Sequence, residues 1–356
     1  MQEIRFVPAA TLKEKPVDSS KLGFGRIFTD YMFMMDYSPE EGWHDPRVEP
    51  YHSFQMDPAT MVLHYGQTIF EGMKCYRRAD GGLQLFRPRD NFKRMNISAD
   101  RLSIPQFDVD LVMKGLEKLL EVEKDWVPSE VGTSLYIRPT VIATDPYVGV
   151  RASRCYYFYI ILSPVAAYYA HGLAPVGIYV EDHYVRAVRG GFGFAKTAGN
   201  YAASIKAGEV AKKKGYDQVL WLDGVEQKYV EEVGSMNIMF VIDGKLVTPE
   251  LNGSILAGIT RDSILKLARE AGIPTEEKRI SIAEVFEAAE NGRLDEAFGT
   301  GTAAVVSPVG ELCWEDKKIE ISGGKIGPIA QQMYDTLVGI QYGLRPDPFG
   351  WIMKLS

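Results

Sequence analysis

Lys196 is the single cation among four glycines and two alanines in the twelve residues from Gly190 to Tyr201. Glycine there lets the backbone turn tightly and approach another group closely. An amine in such a loop has three possible uses. Partly desolvated and neutral, it forms a Schiff base with a carbonyl compound. As the lysine of a phosphate loop it grips a nucleotide: Gly190-x4-Ala195-Lys196-Thr197 lacks only the second glycine of that pattern, and Val219-Leu220-Trp221-Leu222 ending in Asp223 imitates a magnesium-binding strand end. Asp223-Gly224 is equally an ordinary hairpin turn signal. The third use is that of a surface lysine beside a turn. The local sequence leaves all three open.

Two further stretches are able to hold an anion. Gly258-Ile259-Thr260 immediately precedes a helical pattern, and Phe298 to Ala304 is a second small-residue loop containing Gly299, Thr300, Gly301 and Thr302. Amides at a helix start and in a Gly/Thr turn attract phosphate; a threonine that merely caps its helix gives the same pattern. The five histidines show no ligand spacing, so no metal site is expected. Cys75, Cys155 and Cys313 lack a C-x-x-C pattern and read as free thiols in a reducing compartment.

The elements that must position these groups follow from periodicity. Tyr31 to Met35 reads as a strand, as do Cys75-Tyr76 and Leu83 to Phe86 about the turn Asp80-Gly81-Gly82. Phe92, Met95, Ala99 and Leu102 mark one helix face, leaving Arg94 off it as a solvated guanidinium. A second amphipathic helix runs from Asp110 to Val122, and strands follow at Ser134 to Val141 and Cys155 to Ser163. In the second half come a strand at Val176 to Val180, a helix from Tyr201 to Lys214 ended by Gly215, and a strand from Ile238 to Ile242. Ser281-x-x-Glu284 is a capping box, and Ile329, Met333, Leu337 and Ile340 stripe the last helix.

A chain of 356 residues exceeds what one core usually supports. The expected organisation is a small N-terminal domain over residues 1–164, a connection at 165–174 and a larger domain over 175–356 carrying Lys196. At 46% apolar and 24% charged residues the composition is that of a normal globular protein. A net charge of −7, with no basic cluster beyond Lys212-Lys213-Lys214, argues against nucleic acid as a partner. No apolar run approaches ~18 residues, so no membrane span is expected. Without a signal or transit pattern the expected setting is the cytoplasm.

Taken together, the blocks His64-Tyr65, Phe70-Glu71-Gly72-Met73-Lys74, Arg94-Met95, Leu135 to Pro139, Lys196-x-x-Gly199-Asn200-Tyr201, Glu232 to Asn237, Gly258 to Arg261 and Phe298 to Ala303 resemble the branched-chain amino-acid aminotransferases, fold type IV pyridoxal-phosphate enzymes. The resemblance covers nearly the whole chain and keeps the order of the blocks. It implies an α/β (α+β) fold of two domains with pyridoxal 5′-phosphate in the cleft between them, and a homodimer. Lys196 would be the Schiff-base lysine, Glu232 the carboxylate at the pyridine nitrogen, and Tyr201 the phenol at the ring oxygen. Arg94, the Ile259 and Thr260 amides and Thr302 would cradle the phosphate, with Ser235 in support. Phe24, Tyr65, Tyr136 and Tyr168 would wall the substrate side chain, joined by Val150 of a second subunit. Thr302 and Ala303 would meet the substrate carboxylate, and Arg138 would orient the wall or the acidic co-substrate. Amino acids and 2-oxo acids would be the small-molecule partners. Ala304-Val305-Val306-Ser307 stands where some members carry a redox C-x-x-C, which excludes thiol regulation at that place. The other readings kept open are a D-amino-acid aminotransferase or aminodeoxychorismate lyase, and a P-loop nucleotide hydrolase.

Overall fold

The computed structural model describes residues 2–166 and 173–355. Tyr168 and most of the expected connection at 165–174 lie outside the described residues. Contacts divide the chain into two compact units: Met1–Ala170 with Ala195–Ala198 and Ile340–Ser356, and His171–Phe194 with Gly199–Gly339. Two short pieces that the sequence suggests belong to the second domain therefore group with the first. Backbone pairing is the reason. Ile69 bridges Thr197, the Phe70 amide donates to the Lys196 carbonyl at 3.1 Å, and strand Ile352–Lys354 pairs with strand Leu83–Phe86.

The first unit is built on a nine-stranded sheet, antiparallel except where Arg5–Phe6 runs parallel to Gly42–Pro50. Its centre is the ladder between Ser134–Ala143 and Tyr156–Val165, ten residues each. Alternation along Ser134–Ala143 sends Leu135, Ile137 and Val141 into the core, as period-two side-chain placement requires. Helices Pro88–Arg101 and Val109–Val122 close that core through Phe92, Met95, Leu116 and Leu120, all fully buried. The second helix begins one residue before its expected start, capped by Asp108, whose side chain accepts from the Asp110 amide.

Arg94 departs from the sequence expectation. It is 9% exposed and ion-paired to a fully buried carboxylate, because Glu71 comes up against a second side of its helix. Apolar periodicity cannot register a side buried by polar groups.

The same unit encloses a second buried acid. Glu123, at the end of Val109–Val122, accepts from the Tyr31 amide. Burial pushes its carboxyl up to about 7, against hydrogen bonds from Tyr31 and Thr29, with the neighbouring Asp30 charge adding to the rise. An unfolded chain releases that proton near ~4.3. The folded protein therefore holds a proton that the unfolded chain gives up, and stability falls as pH rises from there to about 7. Glu123→Gln is expected to gain on the order of 3 kcal/mol over wild type at about pH 8 and little at about pH 4.5. Denaturant midpoints at the two pH values measure this; an equal gain at both would assign the effect to packing.

The second unit carries another nine-stranded sheet, of mixed direction. Val176–Glu181 lies parallel to both Gln218–Leu222 and Val305–Trp314, while Met236–Ile242 is antiparallel to its neighbours. Helix Ala198–Lys213 begins three residues ahead of the sequence expectation. The capping box at Ser281 is formed in both directions. Among the described residues no helix is long and apolar enough to cross a membrane.

Candidate active site

In the first unit, the short strand Thr68–Phe70 pairs on one side with Ser134–Ala143 and on the other bridges the Lys196 loop. The loop is pinned by main chain: the Lys196 amide donates to Ser98 Oγ at 2.8 Å, and its carbonyl accepts from Phe70. Lys196 Nζ stands 5.0 Å from the centre of the Phe70 ring. The Arg138 guanidinium lies 4.7 Å from the same centre, so one aromatic platform serves both cations.

Beside Phe70 the chain turns its next side chain inward. Glu71 is fully buried, and Arg94 grips it with two bonds of 2.8 Å, Nε to Oε1 and Nη2 to Oε2. Asn91 Nδ2 adds a 2.9 Å bond to Oε2. Burial pushes the Glu71 carboxyl up, but the Arg94 guanidinium, the Lys196 charge and the Asn91 bond outweigh it and hold the carboxyl below its ordinary value.

The aromatic wall assembles in part. Phe24 meets Tyr136 edge-on at 4.9 Å, and Arg138 Nη2 donates to the Tyr136 hydroxyl at 2.9 Å. That hydroxyl lies so close to Gly72 that a β-carbon there would come within 2.2 Å of it. Tyr65 is 40% exposed and ties its hydroxyl to the Val148 carbonyl, on the loop that presents Val150 at 86% exposure.

In the second unit, Glu232, Asn237 and Thr300 lie side by side across three strands. Glu232 is 3% exposed; its Oε1 accepts the Leu256 amide at 2.8 Å and lies 3.4 Å from Arg186 Nη2. Asn237 in turn donates to the Leu256 carbonyl. These bonds hold the segment leading to Gly258, where a β-carbon would meet Asn237 Oδ1 at 2.0 Å. Helix Ile259–Glu270 then starts with no side-chain cap, so Thr260 does not act as one. Thr302 and Ala303 form the turn between strands Leu294–Gly301 and Val305–Trp314, beyond Thr300. Ser235 is exposed in the turn after Glu232, and Tyr201 is half-buried in the first turn of Ala198–Lys213.

The phosphate-loop reading loses its chemistry here. The Thr197 hydroxyl donates to the Thr68 carbonyl at 2.7 Å. The Asp223 carboxylate accepts the amides of Val225, Glu226, Lys228 and Tyr229, which makes it the organiser of a turn.

Sequence reasoning gave no role to Phe70, Glu71 or Arg186. The first two sit inside the block Phe70-Glu71-Gly72-Met73-Lys74, whose sequence shows no separate role for either; nothing local to Arg186 pairs it with an acid 46 positions away.

The first unit thus holds a lysine amine beside a buried acid, and the second a buried acid and a helix that starts without a side-chain cap. The chain belongs to the class IV amino-transferases: that family's sequence pattern matches residues 68–312. It is 56% identical over 355 residues to branched-chain-amino-acid aminotransferase 2 of Bacillus subtilis (strain 168), covering 100% of this chain and 98% of that protein. With branched-chain-amino-acid transaminase 1 of the same strain it shares 58% identity over 344 residues, 96% of each. Among solved structures, the T.th. branched-chain amino acid aminotransferase with pyridoxamine 5′-phosphate superposes with a TM-score of 0.75 at 26% identity, over 92% of this chain and 98% of that one.

Proposed function

We propose that this protein is a pyridoxal-phosphate-dependent branched-chain amino-acid transaminase, moving the amino group between leucine, isoleucine or valine and 2-oxoglutarate. The observation that carries the reading is Lys196, pinned by its main chain with its amine over the Phe70 ring, in a chain related end to end to branched-chain transaminases. The residues fit the cofactor. Glu232 Oε1 is committed to Leu256 and Arg186, and among the described residues Oε2 carries no hydrogen bond, so a buried carboxylate keeps an oxygen for a ring N–H. The Ile259–Glu270 helix start, lacking a side-chain cap, suits a dianionic phosphate.

Pyridoxal phosphate, when bound, supplies the electron sink for the bonding pair at the substrate α-carbon. The protein supplies the rest. Lys196 Nζ would hold the cofactor and would carry the proton at the substrate α-carbon. Glu232 would keep the ring nitrogen protonated, Tyr201 would hydrogen-bond the ring oxygen, and Ser235 would support the cofactor. Arg94, the Ile259 and Thr260 amides and Thr302 would bind the phosphate. Phe24, Tyr65, Tyr136 and a second subunit's Val150 would enclose the side chain; the exposure of Val150 suits a homodimer. Thr302 and Ala303 receive the substrate carboxylate. Arg138, held by Phe70 and Tyr136, or a tyrosine hydroxyl of Tyr65 or Tyr136, would meet the distal carboxylate of glutamate. The setting proposed is the cytoplasm.

The direct test is spectroscopic. The purified protein should show a visible absorption band that borohydride abolishes, with the label recovered on Lys196. A colourless protein labelled elsewhere would defeat the reading.

Substrate choice is a second expected result. An apolar wall rewards each buried methylene by about 0.8 kcal/mol, so leucine, isoleucine and valine should all exceed alanine in kcat/KM. Among the three, a single methylene is worth only about 1–3 kcal/mol, so they should lie close together. Preference for D-alanine over leucine would instead place the protein among D-amino-acid transaminases.

A further inference from the structure

Glu71 is the most deeply buried charged group of the candidate site. None of the roles above uses it. Its two oxygens receive four hydrogen bonds: Arg94 Nε on Oε1, and Arg94 Nη2, Asn91 Nδ2 and the Gly72 amide on Oε2. The Arg94 end is a fork, two parallel bonds that fix the plane of the guanidinium as well as its place. A surface ion pair of this kind would contribute little. This one is 10% exposed on the arginine side and 0% on the glutamate side, where an unpaired charge is costly and geometry is strictly kept.

We propose that Glu71 is the positioning residue of the phosphate site, setting through this fork the direction in which Arg94 presents its guanidinium. The inference rests on the reading of Arg94 as a phosphate ligand. The carboxylate itself touches neither phosphate nor substrate. Asn91 belongs to the same device, since it holds Oε2 while also donating to the Gly72 carbonyl at 3.3 Å. The geometry explains why a glutamate is needed. A carboxylate accepts at both oxygens, whereas an amide would turn a donor toward Arg94 and Asn91.

Glu71→Asp isolates position from charge, because the anion stays and only its reach shortens. The full-length chain, freed of cofactor, is titrated with pyridoxal 5′-phosphate and with pyridoxal, and the ratio of the two dissociation constants gives the phosphate preference. Glu71→Asp is expected to lower that preference roughly tenfold, the lower end of what a charge-assisted hydrogen bond is worth, with pyridoxal binding unchanged. In an Arg94→Ala background the same substitution should cause no further loss, as groups acting in series require. Should Glu71→Asp not fold, Asn91→Ala is the milder probe, with a smaller loss in the same direction. Equal weakening of both compounds, tighter phosphate binding, or additive losses with Arg94→Ala would each overturn the proposal. If wild type itself shows no preference for the phosphorylated compound, the failure lies in the assignment of Arg94 and the cofactor.

Discussion

Lys196→Ala is expected to cut transamination by on the order of 10⁴–10⁶-fold, the scale seen when a group acting as nucleophile and proton carrier is removed. The variant should nevertheless fold. The loop is anchored by the Lys196 amide on Ser98, by its carbonyl on the Phe70 amide and by the Ile69–Thr197 bridge, and none of these involves the deleted side chain. Circular dichroism and thermal unfolding should match wild type, and the visible band of the holoenzyme should be lost. Turnover within a factor of ten or so of wild type would remove Lys196 from the chemistry.

Glu232→Gln is expected to separate the running of the site from its filling. Gln Oε1 can still accept the Leu256 amide, so the segment leading to Gly258 and the helix start should keep their places. The remaining atom becomes an N–H donor where the carboxylate presented an acceptor, and the ring nitrogen loses its anionic partner. We expect kcat to fall roughly 10²–10³-fold, the range for deleting one preorganised electrostatic partner in a buried site. The dissociation constant of pyridoxal phosphate should change by less than about tenfold, since the phosphate contacts are untouched. Cofactor loss with kcat preserved in the loaded fraction would exchange the roles of Glu232 and Arg94.

Where the chain makes helices and strands was legible because side-chain periodicity is local. Phe92, Met95 and Ala99 repeat at helical spacing and are buried. The capping box at Ser281 joins groups three residues apart. The motif blocks were legible for a related reason: Lys196 needs small neighbours for close backbone approach, and Gly258 has no room for a β-carbon beside Asn237. Such demands fall on residue type at a fixed position, so the sequence has to display them.

What only the tertiary structure decided are the polar pairings. Glu71 meets Arg94 across 23 positions, and Arg186 meets Glu232 across 46. The Phe70 ring serves Lys196 from 126 positions away. A carboxylate leaves no periodic trace of the guanidinium it will accept; strand register and loop closure choose the partner. The fate of Arg94 shows this directly: its helix has one apolar face that periodicity reveals and one polar side that burial makes costly unless Glu71 is there to receive the charge. Sequence alone therefore specified which residue types the site contains. The fold determined which of them stand within hydrogen-bonding reach, because strand register and loop closure bring together segments far apart in the chain.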